Sequence, residues 1–393
     1  MRLNKEIVER TSYLQDLRHL IHSNPETAFE EVATSRLIAD VLGSAGIEVH
    51  CGLAKTGVVG TLRGRGQSSQ AIGLRADIDA LNITEKTSLE YASRVSGKMH
   101  ACGHDGHTVI LLGAALHLAK FRNFDGVVQF IFQPAEENEG GGRVMIEDGL
   151  FEKFPVDAIY ALHNWPGLPV GEAAVRAGPV MASYDIFEII VTGRGGHAAM
   201  PHLTIDPIAT ASHLVQALQA IVSRNTSPLD SVVISVTQIF AGDTWNVIPE
   251  EATLRGTVRT LRPEIQDAVE AHIHRVVSMT AAATGASATV RYERRYPATI
   301  NNRTEAEIAA NALAKVVGED RVHLDLPPSM GAEDFAFMLN QVHGAYLFLG
   351  NGPLEDGRTL HSPQYDFNDE LIPIGATFWS NLVETALAPR QTV

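Results

Sequence analysis

Nine residues constrain this chain more than any other stretch. Residues 99–107 read M-H-A-C-G-H-D-G-H, with three histidines, a cysteine and an aspartate separated by glycines that let the backbone turn. Such a segment builds a core poorly and holds a divalent cation well. Cys102 and His104 are two apart, so an extended loop would put both side chains on one side. A thiolate beside an imidazole suits zinc, and also cobalt, nickel or manganese. The bland alternative is a histidine-rich helix start around a buried free cysteine, and further ligands must come from elsewhere in the chain.

At 393 residues the chain is too long for one ordinary core and fits two domains. With 46 acidic against 31 basic residues, the formal charge of −15 argues against nucleic acid or an anionic membrane as a partner. Cys51 and Cys102 are the only cysteines, which excludes a disulfide scaffold and favours a reducing, cytoplasmic setting. The first ten residues, M-R-L-N-K-E-I-V-E-R, are charged and carry no apolar signal core, and no run is apolar enough to span a bilayer.

Apolar spacing predicts helices over 4–22 and 28–43, then strands over 47–51, 57–63 and 71–78. The third strand ends in R-A-D-I-D-A, carrying Asp77 and Asp79 at its carboxyl end. A helix is expected over 108–120, a strand over 126–132 running into Q-P-A-E-E, a short helix over 143–150, and a strand over 157–162 ending at His163. This alternation is that of an α/β sheet with helices on its faces, whose ligands bind beyond the carboxyl ends of the strands. Asp79, Glu136, Glu137 and His163 all follow apolar strand-like runs, the first sign that they converge.

From about residue 184 the order becomes β-α-β-β-α-β, that of a ferredoxin-like α+β unit. The expected architecture is a discontinuous α/β catalytic domain, 1–181 and 295–393, with a mixed sheet flanked by helices. Residues 182–294 form a smaller inserted domain. Its strand 231–239 sets Val232, Ile234 and Val236 against Ser231, Ser235 and Thr237, predicting one packed face and one wet face.

A hydrolytic metal site leaves room for water and substrate. The adjacent carboxylates of Glu136 and Glu137 would point opposite ways in extended backbone, so one could bind metal while the other meets the water. His163 and His361, the latter in R-T-L-H-S-P, are further candidates. Asp77 or Asp79 can hold a ligand imidazole. In the inserted domain, His197 sits in G-R-G-G-H-A-A-M-P-H and could reach a developing oxyanion. Asn246 and Arg259 are polar candidates for a substrate carboxylate. A solvated acidic loop, a satisfied core histidine and a surface hairpin remain the plain alternatives for these groups.

Taken in order, G-L-R-A-D-I-D-A-L, M-H-A-C-G-H-D-G-H, Q-P-A-E-E, A-L-H-N, G-R-G-G-H-A-A-M-P-H, N-V-I-P, G-A-E-D-F and L-H-S-P resemble the M20 metallopeptidase superfamily. The nearest branch is the amidohydrolases that include hippurate hydrolase, the auxin-conjugate hydrolases and N-acetyl-diaminopimelate deacetylase. The resemblance implies one or two divalent ions (Zn, Mn, Co or Ni) on Cys102, His104, Glu137, His163 and His361, with Cys102 able to bridge. It casts Glu136 as general base and acid and Asp79 as the orienting aspartate. Asp77 stands where distant peptidase branches carry a ligand histidine, a role His104 takes over. His197 matches a histidine that often serves the partner subunit's site, which implies a homodimer or tetramer through the inserted domain. Asn82 departs from the usual proline after D-A-L.

The expected activity is cleavage of the amide bond of small N-acyl-L-amino acids by a metal-activated water. A dipeptidase or carboxypeptidase of the same superfamily, or a non-catalytic metal- or small-molecule-binding scaffold, are the rival readings.

Overall fold

The computed structural model describes residues 1–137, 139–354 and 358–388. They divide into two compact units, Met1–Gly178 with Ile300–Pro327 and Asp334–Val393, and Pro179–Thr299 with Pro328–Glu333. The bounds 182–294 read from the sequence therefore omit a short return segment. Ser329 bridges Met181 in parallel, and the Ala182 amide donates to the carbonyls of Ser329 and Gly331 at 3.1 and 2.8 Å. No periodicity in so short a segment announces that pairing.

In chain order the larger elements are α1 (Thr11–Ser23), α2 (Val32–Ser44), β1 (Glu48–Leu53), β2 (Gly57–Arg63), β3 (Ala71–Asp77), α3 (His104–Phe121), β4 (Val127–Gln133) and β5 (Ala158–Pro166). The second unit holds β6 (Tyr184–Thr192), α4 (Pro207–Ala220), β7 (Val232–Ala241), β8 (Glu251–Thr260), α5 (Pro263–Ala283) and β9 (Ser287–Tyr296). The chain then returns through α6 (Arg303–Val317), β10 (Gly344–Gly352) and α7 (Leu371–Ala386).

The large sheet is mixed and runs β1-β2-β4-β3-β5-β10, continued by two short strands, Ala173–Ala174 and Val322–His323. β1, β2 and β4 pair antiparallel, whereas β4, β3, β5 and β10 are mutually parallel. Every residue of β3 and β4 is buried, as expected of parallel strands covered on both faces. α3 connects parallel neighbours β3 and β4, and its buried run from His104 to Leu118 makes it a core helix rather than an amphipathic one. From β3 the chain moves to β4 on one side and then to β5 on the other. A crevice therefore opens at the carboxyl ends of β3 and β5, where α/β sheets bind ligands.

The smaller unit's sheet is antiparallel in the order β7-β8-β6-β9. Phe187, Ile189, Val191, Leu214, Leu218, Ile273 and Val277 form its core on one face. The alternation read for β7 holds through Val232 and Ile234. It lapses at a bulge between Val236 and Gln238, beyond which Ile239 and Phe240 are exposed.

Candidate metal centre

The motif does not lie in an extended loop. α3 begins at His104, four residues earlier than its apolar spacing indicates, so Cys102 precedes the helix and His104 occupies its first turn. The turn depends on Gly103, whose φ is 94° and whose Cβ, were there one, would lie 2.3 Å from Asn164 Oδ1. The Gly103 carbonyl accepts from the Gly106 and His107 amides at 2.9 and 3.0 Å.

This turn sends the three motif histidines to three fates. His100 is buried with neither ring nitrogen paired, and burial pushes its imidazole down to about 3, so it stays neutral. His107 is held at both ends, Nδ1 2.6 Å from Asp77 Oδ1 and Nε2 2.7 Å from Asn164 Oδ1. His104 is held at one end only. Its Nδ1 meets the Asp79 carbonyl at 2.9 Å and Asp79 Oδ1 at 3.1 Å, while its buried Nε2 has no hydrogen-bond partner.

The other candidates gather round that bare nitrogen. Glu136 and Glu137 lie in a turn rather than extended backbone, with Ala135 at φ 54° before them. The Glu137 amide donates to Asp79 Oδ2 at 3.0 Å, so one aspartate ties the Q-P-A-E-E turn to the His104 ring. Glu137 Oε1 lies 4.0 Å from His104 Nε2 and 3.0 Å from His361 Nε2, neither contact having hydrogen-bond geometry. The Asp334 amide donates to Glu136 Oε1 at 3.4 Å.

His163 sits inside β5, in register with Phe348, because pairing continues to Pro166 rather than stopping at the histidine. Its Nδ1 lies 2.6 Å from the Asn164 carbonyl, and its Nε2 lies 3.4 Å from Cys102 Sγ. His361, at φ 64°, is anchored by its amide to the Ala101 carbonyl at 2.8 Å.

Donor atoms of Cys102, His104 and His163 fall within 4.8 Å of one another. The same holds for Cys102, Glu137 and His361, and for His104, Glu136 and Glu137. These groups can hold a cation. The buried Nε2 of His104 has no hydrogen-bond partner among the described residues and lies 3.7 Å from Asp77 Oδ2, so a cation bound there would take the place of its proton. His163 Nδ1–H is spent on a backbone carbonyl, which leaves Nε2 as acceptor. The electrostatics agree. Burial alone would lower His104, yet Asp77, Asp79 and Glu137 raise it to about 10. Burial, with Glu137, Glu136 and Asp77, holds the Cys102 thiol far above its usual range. Acids outnumber cations here, and a divalent ion reverses both effects.

Asp77 and Glu137 are the acids here held in the charged form, Glu137 by His361 and His104 against its burial. Burial opposes the charge of Asp77 as well, but His104, His107 and Arg75 hold it well below the carboxylate range, with Arg75 Nη1 at 2.7 Å.

Among the residues read from the smaller unit, His197 and Asn246 are exposed neighbours on a two-stranded ribbon, where Val247 pairs with His197 and the Ala198 amide donates to the Asn246 carbonyl at 3.0 Å. Arg259 lies elsewhere, on β8, its guanidinium 4.2 Å from the Tyr184 ring centre and without an ion pair among the described residues. Sequence reasoning missed Asn164 and Tyr365, whose hydroxyl accepts from Asn164 Nδ2 at 2.6 Å, although Asn164 stands beside His163 in A-L-H-N.

Residues 73–385 match the family model for peptidase family M20/M25/M40. The chain is 41% identical to the hippurate hydrolase of Campylobacter jejuni over 97% of its own length and 98% of the relative's. It is 40% identical to the N-acetylcysteine deacetylase of Bacillus subtilis, covering 95% of this chain and 97% of that one. The crystal structure of a dinuclear metal binding peptidase from the M20 family of Bacillus subtilis superposes with a TM-score of 0.85 at 36% identity, over 97% and 99% of the two chains. By motif order, fold and relatives together, the chain belongs to peptidase family M20/M25/M40 and is a metal-dependent amidohydrolase.

Proposed function

We propose that the protein hydrolyses the amide bond of small N-acyl-L-amino acids, with Cys102, His104, Glu137, His163 and His361 holding one or two divalent ions. The observation that carries this is the buried, unpartnered His104 Nε2, ringed by Cys102, Glu136 and Glu137. Zinc, manganese, cobalt and nickel all suit a set of one thiolate, three imidazoles and a carboxylate. Bound there, a divalent ion supplies a water of lowered pKa and polarises the amide carbonyl.

Glu136 is the carboxylate left over from that set. It takes a proton from the attacking water and returns it to the leaving nitrogen. Asp79 keeps His104 in the tautomer that presents Nε2. A thiolate committed to a cation is a poor nucleophile, so Cys102 is not assigned attack on the carbonyl. His197 is assigned the oxyanion, and Asn246 and Arg259 the substrate carboxylate. Arg259 suits that part as a half-buried cation with no ion pair within 4 Å among the described residues.

The smaller unit is assigned a second role as lid and homodimer contact. Its edge strand β7 exposes Ile239 and Phe240, and Trp245 follows at 98% exposure. Sedimentation as a monomer removes that part of the reading. A cytoplasmic location accords with two free cysteines, Cys51 exposed and Cys102 buried. Among the described residues no helix is long and apolar enough to cross a membrane.

The test is Glu136→Gln on metal-reconstituted protein, assayed with N-acetyl, N-benzoyl and dipeptide substrates. Turnover is expected to fall by roughly 100-fold or more while metal content persists. Retained turnover removes Glu136 from the role, and preference for dipeptides replaces the amidohydrolase reading with a peptidase one.

A further inference from the structure

The turn that carries Glu136 and Glu137 begins at a strained residue. Ala135 has φ 54°, a region that residues with a side chain seldom adopt. Its carbonyl accepts from the Gly141 amide at 2.9 Å, but its own amide points away from the turn. That amide donates to Glu31 Oε1 at 3.0 Å. Glu31 is fully buried at the start of α2, 104 residues earlier in the chain.

The same oxygen accepts a second amide, from Phe29 at 3.1 Å, and Phe29 is likewise strained at φ 60°. Oε2 is fixed by the Thr56 hydroxyl at 2.6 Å. One carboxyl group therefore clamps two left-handed backbone positions and is itself pinned by a third residue. A buried carboxyl is costly where stability alone is served. Here its hydrogen bonds end one residue before the proposed acid–base group.

We propose that Glu31 is a positioning residue for catalysis: by clamping the Ala135 amide it sets the direction in which the Glu136 carboxylate points. The proposal rests on Glu136 acting as the acid–base group. Glu31 touches neither substrate nor cation and acts through the backbone of the turn. A misplacement of about 1 Å in a reacting group can cost about 100-fold in rate, so such a clamp has catalytic leverage. Either protonation state of Glu31 preserves it. Oε1 accepts both amides throughout, and the bond between Oε2 and Thr56 can run in either direction. A glutamine can therefore replace it, with its carbonyl on the amides and its NH2 on Thr56. An alanine cannot.

The experiment compares Glu31→Ala, Glu31→Gln and Glu136→Gln in the full-length, metal-reconstituted protein, reading kcat, KM, bound metal and unfolding midpoint. Glu31→Ala is expected to lower kcat by about 10- to 100-fold, with KM and metal content within about twofold of the parent. Glu31→Gln is expected to restore kcat to within about threefold. A purely structural role predicts a lowered unfolding midpoint with kcat per folded molecule unchanged, and that outcome overturns the proposal. Should Glu31→Ala not fold, Glu31→Asp carries the test, since its shorter side chain withdraws the carboxyl from the Ala135 amide while keeping a buried acid there. A fall in kcat at constant KM supports the clamp, and an unchanged kcat overturns it. If Glu136→Gln keeps its activity, the underlying mechanism fails, whatever Glu31 does. If Glu136→Gln is dead while Glu31→Ala is fully active, only the clamp fails.

Discussion

His104 and Asp105 are neighbours in the first turn of α3, and they face two charged clusters built on opposite plans. Behind Asp105 the chain supplies its own counter-charges. Arg18 Nη1 lies 3.0 Å from Asp105 Oδ2 and 3.4 Å from Asp366, its Nε pairs with Asp369, and His22 Nδ1 lies 2.9 Å from the same Asp105 oxygen. Tyr91 lies under the guanidinium and donates to Asp366. Only Arg18 Nη2 and Asp105 Oδ1 are left without partners. Around His104 the balance is reversed. Asp77, Asp79, Glu136 and Glu137 meet there with Arg75 as the one arginine, and Arg75 is also engaged by Gln133 and Asp334. A buried cluster that brings its own cations is scaffold, and one in which acids outnumber the cations the chain supplies can take a cation from outside.

The comparison breaks most visibly if Arg18 is removed. Arg18→Met strands Asp105 as a buried charge with His22 alone, and loss of one partner from a buried pair costs about 3–5 kcal/mol. Chemical denaturation of the metal-free protein should show a loss of that size. Metal bound per folded molecule should stay near the parent value, because the ion pairs of Arg18 go to Asp105, Asp366 and Asp369. Loss of metal affinity on the same scale as stability would mean the two clusters are one.

A smaller effect separates them by pH. Burial works against charge on His22, but the hydrogen bonds its ring donates to Asp105 and Glu85 raise it to about 9 from the ordinary 6.5. A histidine whose folded pKa is raised contributes stability that is fully present below the unfolded value. That stability is lost as pH climbs through the folded one. Between about pH 6.5 and 9 the metal-free protein should therefore lose up to about 3 kcal/mol on this account. His22→Gln should flatten the slope. An unchanged slope in that variant would show that His22 is already neutral when folded.

What could be read in the sequence follows from distance along the chain. Ligand-type residues in 99–107 and carboxylates just past apolar runs are local patterns, and the structure brings Cys102 and His104 together with His163, Glu136 and Glu137. The start of α3 was not legible. His-Asp-Gly are poor helix formers, and what overrides them is Gly103 together with packing of the first turn on Asn164 and Phe367. Glu31 and Arg18 are silent for a different reason, and Asp334 shows only as part of G-A-E-D-F. Each is an ordinary polar residue in its own segment, and the partner that gives it its part lies 87 or more positions away: Asp105 for Arg18, Ala135 for Glu31 and Gln133 for Asp334. Arg18 even sits in a helix whose exposed residues would hide it among surface charges. The strand read over 157–162 stops short of Pro166, because nothing in A-L-H-N-W-P signals that β5 keeps pairing beyond the histidine.

The finest division between the clusters runs through Asp79. Its two oxygens do separate jobs, Oδ1 on His104 Nδ1 and Oδ2 on the Glu137 amide. Both partners present N–H groups, so the site needs an acceptor at each oxygen. Asp79→Asn keeps the shape but must turn an NH2 toward one of those donors, which breaks that bond and sets donor against donor. Loss of such an orienting carboxylate weakens metal binding by about 10- to 100-fold, equivalent to about 1.4–2.7 kcal/mol. Competition against a chelator should read that loss, and the unfolding midpoint of the metal-free protein should move little, since one repulsive charge leaves an acid-rich cluster. The opposite pattern, intact affinity with a lowered midpoint, would make Asp79 scaffold like Asp105 and erase the distinction between the two sides of the turn.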